Sequence, residues 1–418
     1  MLQRIAMLSV HTSPLATLGG KEAGGMNVYI RELSREFSRR GVEVDVFTRS
    51  SRPDTPRFQE LAPRSQVAQI IAGPESSIGT DQIYRHLDEF ALNTLVATAP
   101  RQYDIMFSHY WLSGLVAMQL RPRWRIPFVQ MFHTLAEMKN RVAQNELERA
   151  SVQRVNCEGA IMHQADRLIA ATPIERDQFI QLYNAPAQRI AIVPPGVDLA
   201  RFKPMPKAEA RQHLGVPPEH NMLLFVGRIQ PLKGIDTLLR ALAIVKAREP
   251  QLEKDICVAI IGGDNDSSSK IEQNELARLN SLRSELGLEE LVTFLGAKDQ
   301  DSLPYYYSAA AMVIMPSHYE SFGMVAIEAM ACGTPVIASD VGGLSFSIED
   351  GFNGYLVPGR NPEALAKKII LLIKYPLLRE QLSEQAKSWV KRFSWANVAD
   401  ELTEVFEGTI ANYYDMAK

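Results

Sequence analysis

Strand-sized apolar runs alternate with helical patterns along nearly the whole chain, and the alternation breaks once. The segments "RIAMLSV", "GGMNVYIRELSREFSRRG" and "VEVDVFTR" read as strand, helix and strand joined at Gly41, a βαβ unit. Further strands are expected at "VAQIIA", "DIMFSHY", "PFVQMFH" and "RLIAATP". At "IAIVPPGVDLARFKP", Pro194, Pro195, Pro204, Pro206 and Gly196 leave no room for a helix or buried strand across 194–206, because proline removes a backbone donor and fixes its own φ. Beyond it the order restarts with "NMLLFVGR", "DICVAIIGG", "LVTFLG", "AAMVIMPS" and "TPVIASD" as strands. Helices are expected at 233–248, 270–286 and near 302–309, with a terminal one over about 394–415. Parallel strands need such crossovers, so the pattern predicts an α/β chain of two domains, 1–195 and 196–393. The 418 residues also exceed what one core usually fills.

Composition excludes several classes. A formal net charge of -3 with no Lys/Arg-rich block gives no support to a nucleic-acid or anionic-membrane partner. Cys157, Cys257 and Cys332 are odd in number and widely spaced, which suggests neither a disulfide framework nor a thiolate metal site. No apolar run reaches the roughly 18 residues of a membrane span. A cytoplasmic protein without an integral membrane segment is the expectation.

In open α/β sheets, ligands bind outside the carboxyl ends of the strands, and the informative residues fall in those loops. "HTSPLATLGGKEAGGMNVYI" sets Gly19, Gly20, Gly24 and Gly25 before a helix start, a place where backbone N–H groups attract an anion. A flexible connection is the plainer reading. "FVGRIQPLKG" puts Arg228 and Lys233 at a strand end, where a diphosphate can accept from both, unless they are solvated surface charges. "IGGDNDSSSK" supplies Gly262 and Gly263, and from Asp264 resembles a calcium loop only at Asp266 and Glu275, with Ser269 where the turn glycine belongs. In "ESFGMVAIE", Glu320 precedes a helix beginning near Gly323 and Glu328 lies on it. The first N–H groups of that helix, at Gly323, Met324 and Val325, suit a phosphate, and a carboxylate can accept from two adjacent sugar hydroxyls.

The Glu-x7-Glu of "ESFGMVAIE", with "GRIQPLKG" before it and "GTPVIASDVGG" after it, resembles the nucleotide-sugar site of family-4 retaining glycosyltransferases. The segments "SHYWLSG" and "FHTLAEMKN" are similar to the branch holding sucrose-phosphate synthases and the inositol-phosphate N-acetylglucosaminyltransferases of mycothiol synthesis. The resemblance implies a GT-B fold, two Rossmann-like domains facing across a cleft, with helix 394–418 crossing back to an N-terminal acceptor domain. It implies that Glu328 holds the donor ribose, that Glu320 contacts hexose hydroxyls, and that Gly323, Met324 and Val325 donate to phosphate beside Phe322. Arg228 and Lys233 would clamp the diphosphate with Gly25 on its far side, Gly262 and Lys298 would line the donor site, and His133 would sit by the reacting hexose. Retention would proceed by front-face attack, with Glu320 or Asp104 as covalent nucleophile the rival. No cofactor is implied, and Mg2+ is not expected to be essential to a UDP-sugar substrate.

For the acceptor, the resemblance implies that Tyr110, Thr134 and Arg154 hold a phosphate, with Asn27 in the neighbouring loop. Where the inositol-phosphate pattern has a lysine this chain has Ile78, so fructose 6-phosphate is the favoured acceptor and UDP-glucose the donor, giving sucrose 6-phosphate. Arg85 or Lys139 can substitute for the lysine. Inositol phosphate with UDP-N-acetylglucosamine is the alternative, and a nucleotide-sugar epimerase or non-catalytic sensor the reading from another class. With no third α/β block in the chain, a separate phosphatase would act on the product.

Overall fold

Nearly all of the apolar runs read above are strands, and all but one of the observed strands pair in parallel. The computed structural model describes residues 2–16, 24–98, 102–143, 146, 149–263 and 270–416. The chain divides into two compact units, one of residues before Gly196 together with those from Trp395 onward, the other running from Gly196 to Ser394. Ser394 stays with the second unit through a bridge to Val197.

The first unit holds eight strands: β1 (Arg4–Leu8), β2 (Glu43–Arg49), β3 (Phe58–Ala62), β4 (Ser65–Ile70), β5 (Ile105–His109), β6 (Phe128–Met131), β7 (Arg167–Ala170) and β8 (Ile190–Ile192). Their order is β3-β4-β2-β1-β5-β6-β7-β8. Every residue of β5 and β6 is buried, as expected of strands covered on both faces. Two strands of this unit were not read from the sequence, nor was Gly354–Val357 in the second unit. β3 is an edge strand with no buried residue, paired antiparallel to β4, and β8 is a three-residue strand just ahead of the proline break.

The second unit holds β9 (Asn221–Val226), β10 (Ile256–Ile261), β11 (Val292–Gly296), β12 (Met312–Met315), β13 (Val336–Ser339) and β14 (Gly354–Val357), in the order β11-β10-β9-β12-β13-β14. All of its pairings are parallel. The helix expected from 233 begins at Ile235, because Pro231–Lys233 forms a 3-10 turn first. Each sheet reverses its order beside its own first strand, between β1 and β5 in one unit and between β9 and β12 in the other. Such switch points are where open sheets receive ligands.

The terminal helix Trp395–Met416 packs on the first unit. Phe406 is fully buried, its ring 6.0 Å from Phe37 and 5.1 Å from Phe107, and Trp395 lies 5.6 Å from Tyr29. Arg40 on the helix Gly25–Arg39 flank reaches Asp400 at 2.6 Å and the Ala396 carbonyl at 2.7 Å. Among the described residues no helix is long and apolar enough to cross a membrane. Phe406→Ala is expected to cost about 3–5 kcal/mol, read as a fall in the urea midpoint of the unit that carries it. A loss below about 1 kcal/mol would mean that this ring does not anchor the helix.

Candidate active site

In the second unit the switch point is closed by an ion pair. Lys233, at the end of the turn after β9, lies 2.5 Å from Glu320, in the loop after β12. The two loops are also joined through backbone: His318 N–H donates to the Leu232 carbonyl at 2.8 Å. Gly234 has φ +64° and sits so close to Pro316 that a Cβ would lie 2.0 Å from its carbonyl oxygen. Arg228, two residues beyond β9, is exposed and has no ion-pair partner among the described residues. Glu320 lies just ahead of the helix Met324–Ala331, which Gly323 caps. The N–H groups of Met324 and Val325 have no acceptor within that helix, as its construction requires.

Glu328 is 8% exposed on that helix, and its Oε2 accepts from the Tyr307 hydroxyl at 2.8 Å. Burial raises its pKa to about 7, against the lowering effects of the Tyr307 hydrogen bond and of Arg201. Its Oε1 has no partner among the described residues. Lys298 is half-buried in the loop after β11.

In the first unit the residues beyond β1, β5 and β6 meet. The His11 ring lies 4.4 Å from that of Tyr110, which opens the helix Tyr110–Trp124 with φ +73°. The Arg154 guanidinium is 4.8 Å above the Tyr110 ring, and its Nη2 donates to the Thr134 carbonyl at 2.9 Å and hydroxyl at 3.2 Å. Ser151 caps the helix Val152–Gln164 by accepting from Arg154 N–H, which places Arg154 in the first turn. One turn on, Glu158 accepts from Arg154 Nε at 2.7 Å, from the Ala136 N–H at 2.9 Å and from the Tyr183 hydroxyl at 2.5 Å. The Arg154 side chain is 11% exposed and that of Glu158 is 0%. Burial raises the Glu158 pKa, and Arg154 and Tyr183 oppose it. His133 follows β6 with φ +62°, its Nε2 3.0 Å from His109 Nδ1.

Two family descriptions match the chain, Glycosyltransferase Family 4 over residues 23–201 and Glycosyl transferases group 1 over 206–389. The D-inositol 3-phosphate glycosyltransferase of Actinosynnema mirum is 42% identical over 408 residues, covering 97% of each chain. This is a family-4 retaining glycosyltransferase of GT-B fold. Among solved structures, sucrose-phosphate synthase from Thermosynechococcus elongatus superposes with a TM-score of 0.90 at 33% identity, over 98% of this chain and 100% of that one. Anabaena HepE in complex with UDP and glucose matches with a TM-score of 0.75 at 22% identity, over 97% and 100%, which shows the fold alone.

Within this glycosyltransferase, Tyr110, Thr134 and Arg154 come together in the first unit, and Lys233 and Glu320 in the second. Other expectations are corrected. Asn27 is buried, its amide nitrogen donating to Thr12 Oγ1 and the Ser13 carbonyl and its oxygen accepting from Gly24 N–H. It pins the loop after β1 and has no donor left for an acceptor molecule. Gly262 spends its N–H on the Gly296 carbonyl at 3.0 Å. Its lack of a side chain serves packing, since a Cβ there would lie 1.7 Å from the Gly227 oxygen. The Phe322 side chain is buried against Phe346 and Phe393, so only its backbone can reach a ligand. Asp104 precedes β5, at the wrong end for a nucleophile, and accepts from the N–H groups of Gln3 and Arg4.

Gly25 opens the helix Gly25–Arg39 and is exposed, and Lys139 is exposed on Ala136–Val142. Gly19, Gly20, Asp264, Asp266 and Ser269 lie outside the described residues, and Glu275 is paired with Arg278 at 2.8 Å. Sequence reasoning missed Tyr307, His109 and Glu158. Only Glu158 carried a signal, its i,i+4 spacing from Arg154 on a helix.

The raised Glu328 pKa carries a stability cost of definite sign. The folded protein holds this proton more tightly than the unfolded chain, whose carboxyl titrates near 4.5, so stability falls as pH climbs from about 4.5 to about 7. Glu328→Gln keeps an acceptor for Tyr307 and removes that slope. Its stability is expected to gain on the wild type by up to about 3 kcal/mol between pH 5 and pH 8, measured by thermal melts. Parallel curves would show that Glu328 is ionised throughout.

Proposed function

We propose that this glycosyltransferase moves a hexose from a UDP-sugar to an inositol phosphate, with N-acetylglucosamine as the sugar. The carrying observation is the Arg154 guanidinium, locked by Glu158 and Thr134 over the Tyr110 ring. Its Nη1 has no acceptor among the described residues. A fixed guanidinium edge with an adjacent phenol hydroxyl fits an acceptor phosphate. Relatives covering almost all of the chain carry the name D-inositol 3-phosphate glycosyltransferase, and this moves the preference away from fructose 6-phosphate. The argument for that sugar was Ile78, which packs partly buried against the first unit's core. It removes one charge from a phosphate site whose other residues converge.

On the donor side, Arg228 and Lys233 would face the diphosphate, the N–H groups of Met324 and Val325 would donate to phosphate oxygens, and Glu328 Oε1 would accept from the ribose hydroxyls. In the reading we favour, the bond from the anomeric carbon to the diphosphate oxygen breaks while the acceptor hydroxyl oxygen bonds on the same face. The hydroxyl proton passes to the leaving diphosphate. The protein's contribution is then positioning and neutralisation of growing negative charge, and turnover is expected to persist in EDTA.

The high TM-score to a sucrose-phosphate synthase keeps a second reading open. Purified protein is expected to release UDP from UDP-N-acetylglucosamine only when inositol 3-phosphate is present. Turnover confined to UDP-glucose and fructose 6-phosphate would establish the second reading, and UDP-sugar conversion without any acceptor would point to an epimerase. Arg228→Ala or Lys233→Ala is expected to lower kcat by about 10²–10³-fold. Arg154→Ala should mainly raise the acceptor KM, and an unchanged KM would remove it from the site.

A further inference from the structure

His109 and His133 end the neighbouring strands β5 and β6, or follow them by two residues, and their rings meet with one nitrogen each. His109 Nδ1 lies 3.0 Å from His133 Nε2, with the ring planes 35° apart. A contact of this length holds one proton, and either ring can own it. The surroundings of His109 discriminate between the two arrangements. The residue is fully buried, and its Nε2 has no hydrogen-bond partner among the described residues. Phe107 at 4.2 Å and Tyr29 at 5.7 Å between ring centroids wall it in.

If His133 donated, His109 would have to carry its own proton on Nε2, an N–H sealed among aromatic rings with nothing to receive it. In the reverse arrangement His109 Nδ1 donates and only a bare lone pair is left at Nε2. Buried N–H groups without acceptors are the rarer of the two defects in folded proteins. Both rings are also neutral near pH 7. Burial first, and then the nearby His133, lower the His109 pKa well below its ordinary value; burial and then His11 lower that of His133 to about 3.

We infer that His109 is a positioning residue that fixes His133 in its Nδ1–H tautomer, so that His133 meets the transferred sugar as a hydrogen-bond donor and never as a proton acceptor. The role of His133 beside the sugar rests on the function proposed above, but its tautomer does not, and it is measured without substrate. The chain has eight histidines, few enough for two-bond 1H–15N correlation spectra of [15N]histidine-labelled protein, with His133→Gln and His109→Asn spectra as assignments. The expected result is protonated Nδ1 in both His109 and His133. Protonated Nε2 in His133 overturns the inference whatever the protein turns over.

The variants add a second readout. Asparagine offers an amide N–H near the position of His109 Nδ1, whereas phenylalanine offers none. His109→Phe is expected to lower kcat about tenfold, the effect of one lost hydrogen bond, with the acceptor KM unchanged, and to leave His133 with mixed protonation. His109→Asn is expected to restore most of kcat and the Nδ1–H signature. Equal losses in the two variants with His133 unaltered would make His109 a packing residue and end the proposal. Should either variant fail to fold, the wild-type spectrum alone decides.

Discussion

Each half of this glycosyltransferase is governed by one topological constraint, the reversal of a parallel sheet beside its first strand. Crossover helices leave in opposite directions on the two sides of the reversal, so the loops after the two adjacent strands are not covered by either. In the second unit those loops are joined by the Lys233–Glu320 pair. In the first they are joined by the His11–Tyr110 ring contact. Tyr110, Lys233 and Glu320 gather at these two places because the reversal leaves these strand ends uncrossed.

The repeating architecture was legible in the sequence because its signals are local. Apolar runs, glycine stops and the proline break between Pro194 and Pro206 act within a few residues of themselves. β3 escaped because "FQELA" has no buried face; pairing with β4 makes it a strand. β8 escaped because three residues beside two prolines carry too little periodicity, and it is held through pairing with β7.

The site divides along the same line. Arg228, Lys233 and Glu320 could be named because they lie just past strand ends or in the loop beyond, whereas Tyr110 and Thr134 entered through the family resemblance alone. Asn27, named through the resemblance, and Gly262, named for its place at a strand end, serve the loops themselves, since neither argument reveals where a side-chain amide or a backbone N–H is spent. The partners that set the electrostatics come from elsewhere in the fold. Tyr307 reaches Glu328 from the helix Leu303–Ala309, and Tyr183 reaches Glu158 from Pro173–Tyr183. No spacing rule connects them, because packing between helices decides the contact.

The two ion pairs are built for different work. Lys233 and Glu320 keep 21% and 17% of their side-chain surface open, so water can solvate each as it separates from the other. On the function proposed above, a diphosphate entering there would replace one charge-assisted contact of Lys233 by another and release Glu320 to accept from hydroxyls. Glu158 has no such recourse. It is sealed from solvent and bonded to Arg154, Tyr183 and the Ala136 N–H, and parting it from Arg154 would strand a buried charge, the costly way to break a pair. Arg154 is therefore held in one orientation by its protein partners alone. The Lys233–Glu320 pair can rearrange as its charges are solvated, whereas the Arg154–Glu158 pair has met its ordering cost in folding.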